Sequence, residues 1–76
     1  MNENCENNLQ EEIRKRLVEA IKLSGLHQRE IAKKAKISDA TLSDYIHKKK
    51  LPSLETFARL CEAMDVSADE ILGLHI

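Results

Sequence analysis

The side chains that could ligate a metal or attack an electrophile are His27, His47 and His75, with Cys5 and Cys61. The histidines are scattered along the chain, whereas metal sites gather ligands within runs of about two to five residues, so no metal is expected. The two cysteines lack CxxC spacing and are too few for a disulfide framework, which fits a reduced compartment. Cys61 falls on an apolar helical face, as filler. With two glycines there is no Gly-rich phosphate loop, and no Ser, Cys or His stands in a nucleophile motif. Neither an enzyme nor a cofactor or small-molecule substrate is indicated.

The remaining chemistry is electrostatic. The net charge is −1, yet residues 27 to 50 carry seven basic groups against three acidic ones, a formal +4. Residues 51 to 76 carry only Arg59 against five acids, a formal −4. Such segregation is a partner signal, because a basic block attracts polyanions. The alternative is a solvated surface with charges placed at random. The stretch SDATLSDYIHKKK closes on Lys48, Lys49 and Lys50 but exposes Asp39 and Asp44 ahead of them.

Apolar periodicity supplies the elements that position these groups. Leu9, Ile13, Leu17, Ala20 and Ile21 repeat at helical spacing and Gly25 follows as a stop, which predicts one long opening helix. Gln28 to Ala35 places Ile31, Ala32 and Ala35 on one side, with Glu30 where a capping-box acid would sit after His27. Ser38 is the expected cap of a third helix carrying Leu42, Tyr45 and Ile46, after a short break at Lys36-Ile37. Beyond Pro52, Ser53 caps a fourth helix with Leu54, Phe57, Ala58, Cys61 and Met64 on one face. Ser67 and Glu70 form a full capping box before Ile71 and Leu72. The fold class expected is all-α: a compact five-helix bundle over residues 9–76, preceded by a frayed polar tail over 1–8. At 76 residues there is no room for a second domain. No run approaches the roughly 20 apolar residues of a membrane span, and no signal peptide precedes the first helix, so no membrane association and a cytoplasmic location are expected.

QREIAKKAKISDATLSDYI, from Gln28 to Ile46, resembles the helix-turn-helix of Cro/C1-type (XRE-like) regulators, and the likeness extends through LPSLETFARLCEAMDVSADEIL. Ala32 stands where two helices would cross, Ile37 would plug the turn, and Leu42 would anchor the second helix of the motif. The resemblance implies the lambda-repressor-like bundle, operator DNA as partner, usually a homodimer, and transcriptional repression with the helix Ser38–Ile46 in the major groove. The chain departs from the family where Lys36 and Lys48 replace glycines, and where His27 replaces a Thr or Ser cap. The lysines would cost roughly 1–2 kcal/mol each in a left-handed backbone while adding charge close to phosphates.

Setting Leu42 inward and turning about 100° per residue points Ala40, Ser43, Asp44 and His47 outward, with Thr41 on the flank and Asp39 at the exposed end. By resemblance Asp39, Ala40, Ser43 and Asp44 take the base-edge positions. Gln28, Ser38, Thr41, His47, Lys48, Lys49 and Lys50 are then expected at the DNA backbone. A carboxylate can accept from cytosine N4 or adenine N6, and Ala40 can touch a thymine methyl. For Asp39 the competing role is favouring a helix N-terminus by its charge. For Asp44 it is a solvated carboxylate or a bridge to Lys48. A protein-interaction module, such as an antitoxin or partner-binding regulator, would meet a basic partner with the same acids. The apolar ending Ile71, Leu72, Leu74 and Ile76 suits either a dimer contact or a lid over the core.

Overall fold

The structure, a computed structural model, describes the backbone of residues 3–74 and the side chains from Leu9 onward. Its elements are α1 (Glu3–Leu23), α2 (Gln28–Ala35), α3 (Asp39–Ile46), α4 (Leu54–Met64) and α5 (Ala68–Leu72), with no strand among the described residues. The all-α, five-helix expectation is met. α1 packs on α3 and α5, and α2 packs on α3 and α4.

α1 starts at Glu3, six residues before the expected start at Leu9. No Gly or Pro interrupts Glu3–Asn8, so nothing local stops the hydrogen-bond ladder. Leu9 lies outside the core, 53% exposed. The core is built on Leu17, Ile31, Leu42, Leu60 and Ile71, all fully buried and drawn from five different helices. Ala32 and Ala35 are buried where α2 meets its neighbours. Small side chains there let the helix backbones approach.

The fourth helix is rotated from the sequence expectation. Cys61 and Met64 are buried and Phe57 packs against the core as expected, but Leu54 is 87% exposed and Ala58 is also exposed. Leu60 is the central residue instead. Phe57, Leu60, Cys61 and Met64 form the stripe at i, i+3, i+4 and i+7. Leu54 lies six residues from Leu60, about 120° around the helix, and stays in solvent. Ile37 is half-buried against the core. Leu74 is exposed, and the Ile76 and His75 positions lie outside the described residues.

Three helices end in the same way, through a residue in the left-handed conformation that is not glycine: Lys36 (φ 61°), Lys48 (φ 62°) and Asp65 (φ 56°). At each, the next residue's N–H reaches back five residues: Ile37 to Ala32 O, Lys49 to Asp44 O and Val66 to Cys61 O. This is the Schellman closure, and it satisfies carbonyls that a helix end leaves without partners. α5 closes on Gly73 (φ 78°), where glycine is required twice over. A Cβ there would come within 2.6 Å of the Arg16 guanidinium, whose Nε donates to Ile71 O at 2.7 Å and whose Nη2 donates to Leu72 O at 3.2 Å. Arg16 thereby fixes α5 to α1 and places positive charge at a helix C-terminus.

Candidate nucleic-acid interface

The motif consists of α2, a turn through Lys36, Ile37 and Ser38, and α3. The turn works because Lys36 accepts the left-handed backbone while Ile37 covers the core beneath it. Ser38 then starts α3 by accepting from the Thr41 N–H at 3.0 Å. At the head of α2, His27 contributes no side-chain cap. The Glu30 carboxylate instead accepts from the His27 N–H at 3.1 Å, half of a capping box. The box expected at Ser67 is also incomplete: Ser67 Oγ accepts from the Asp69 N–H at 3.2 Å, and no Glu70 side-chain bond returns to Ser67.

With Leu42 and Tyr45 buried, α3 turns its other face outward. Asp39, Ala40 and His47 are exposed, while Thr41, Ser43 and Asp44 are partly so. Gln28, the first residue of α2, and Lys48, Lys49 and Lys50 are exposed as well. The eleven positions singled out in the sequence therefore reach solvent on or beside the helix-turn-helix.

Hydrogen bonding divides them further. The Ser38 hydroxyl donates to Thr41 Oγ1 at 2.9 Å while capping the helix, so its proton is committed and that of Thr41 remains available to an external acceptor. His47 Nδ1 lies 2.9 Å from Ser43 O and 3.1 Å from Ser43 Oγ. A carbonyl only accepts, so Nδ1 is the donor in the contact with Ser43 O. Asp44 pairs with Lys50 at 3.6 Å, and the expected partner Lys48 is replaced. The left-handed Lys48 turns the chain back, which brings Lys50 over the last turn of α3.

Among the described residues no group of His, Cys, Asp or Glu is arranged to hold a metal. Burial pushes the Cys61 thiol up from its usual pKa, which suppresses the thiolate. No described helix is long and apolar enough to cross a membrane.

A helix-turn-helix family model matches residues 17–71, a span that runs from the α1 core residue Leu17 to Ile71 in α5. No curated protein and no solved structure matches the chain. The family match covers well over half of the chain, and the protein belongs to the Cro/C1-type helix-turn-helix family of DNA-binding regulators.

Proposed function

We propose that this protein is a sequence-specific transcriptional repressor that inserts α3 into the major groove of operator DNA, acting as a homodimer in the cytoplasm. The DNA-binding domain is residues 9–76, with the first turns of α1 leading into it. Asp39, Ala40, Ser43 and Asp44 read base edges; Gln28, Thr41, His47, Lys48, Lys49 and Lys50 hold phosphates, with Ser38 acting through its cap of α3. The observation that carries this reading is the outward face of α3, which presents short polar acceptors beside a run of exposed lysines. Phosphate attraction supplies affinity and the base-edge contacts supply selectivity.

A second reading is favoured by the acids themselves. Asp39 and Asp44 on the exposed face would suit a basic protein surface, as in an antitoxin or a partner-binding regulator. Salt separates the two. Contacts to about four phosphates per subunit give a log–log slope near −3.6 for duplex affinity. Changing Lys48, Lys49 and Lys50 together to Gln should weaken specific and random duplexes alike and flatten that slope. Absence of duplex binding at low salt would favour the protein partner.

A further inference from the structure

A groove of about 420 Å³ lies against α1, and Lys48 from the end of α3 lines it together with Lys15 and Lys22. Val18, buried, forms its apolar floor. Two carboxylates and one guanidinium share the walls: Glu12, Glu19 and Arg16. Arg16 is engaged by Glu12 at 3.7 Å and by the α5 carbonyls. That leaves three exposed lysines against Glu19.

We propose that this groove is a second phosphate-binding site for the DNA backbone, in which Lys15 and Lys22 of α1 continue the contact that Lys48 begins. The proposal rests on the DNA-binding reading above and extends its footprint from the helix-turn-helix onto the opening helix. Lys15 and Lys22 are two helical turns apart, about 10 Å along α1. That separation exceeds the size of a single small anion, so the two lysines suit separate phosphates of one strand better than one bound anion. The left-handed Lys48 makes the connection, since its position at the end of α3 puts one ammonium group where both surfaces meet. Glu19 keeps the groove from being a uniformly basic trap, which limits its pull on polyanions to those already docked by α3.

The test uses the full chain and a random-sequence duplex of about 40 base pairs. Lys15→Gln with Lys22→Gln should weaken binding and make the log–log salt slope shallower by about 1.8, the value for two lost phosphate contacts. Arginine at both positions should restore the wild-type slope. Arg59→Gln, which removes one positive charge from the Glu55 ion pair on α4, should leave the slope unchanged. A double glutamine variant with the wild-type slope, or an Arg59→Gln variant with a comparable loss, overturns the proposal. Absence of duplex binding by the wild-type protein overturns the underlying DNA-binding reading instead. Circular dichroism checks that each variant is folded.

Discussion

Lys50 Nζ stands 3.6 Å from Asp44 Oδ2, across the last turn of α3. An acid on the outward face of α3 is thus answered by a lysine from the basic run beside it. Both side chains are more than a third exposed, so the pair contributes at most about 1 kcal/mol to folding. In the proposed DNA complex, Lys50 would offset the repulsion between Asp44 and nearby phosphates and leave carboxylate lone pairs to accept from a base amino group.

Asp44→Ala tests that role. The change should cost roughly 1–3 kcal/mol at the preferred operator and relax selectivity at one base pair, while random duplex binds equally well or tighter because Lys50 is released. Uniformly tighter binding with unchanged selectivity would instead make Asp44 a brake on non-specific binding. Affinities measured across single-base operator variants distinguish these outcomes.

The left-handed helix ends yield a stability prediction. Lys36→Gly and Lys48→Gly remove backbone strain of roughly 1–2 kcal/mol, partly offset by the greater freedom of glycine in the unfolded chain. Each variant should gain about 1 kcal/mol in a denaturant titration. Lys48→Gly should also lose DNA affinity. A loss of stability at either position would show that the lysine side chain holds the turn.

His47 gives a test of the phosphate contacts at the end of α3. Its ring is held against Ser43 at 2.9 Å from the carbonyl oxygen and the residue is exposed. His47→Ala should weaken specific and random duplexes to a similar degree, since phosphate contacts carry no sequence information. Unchanged affinity for both duplexes would place His47 outside the interface.

The motif was legible because its packing is local. Ile31, Ala32 and Ala35 in one helix and Leu42 and Tyr45 in the next are spaced at helical intervals, and the structure buries all five. Their outward complement followed from rotation alone. α4 was less legible because two apolar stripes compete: one through Leu54 and Ala58, the other through Leu60. Sequence periodicity does not say which stripe meets α2. The start of α1 was missed for want of a stop signal to weigh against polar composition. Arg16 bonds to carbonyls more than fifty residues away, a contact with no local signature. Asp44 was matched to Lys48 by helical spacing, but that spacing ceases to apply once Lys48 leaves the helix.

The two α4 stripes differ sharply in expected energetics. Leu60→Ala removes a fully buried side chain and should cost about 2–5 kcal/mol. Leu54→Ala, at an 87% exposed site, should change stability by no more than about 0.5 kcal/mol. Chemical denaturation of the two variants checks the phase of the helix. Equal losses would rotate α4 back to the Leu54 stripe.

The central claim, that α3 reads operator sequence, is tested most directly by selecting bound duplexes from a random library and measuring the selected site against a scrambled one at one salt concentration. The account predicts a common sequence motif and a preference of about 10³-fold or more, reduced by substitutions at Asp39, Ser43 or Asp44. Enrichment of no motif, or equal affinity for selected and scrambled duplexes, would contradict it.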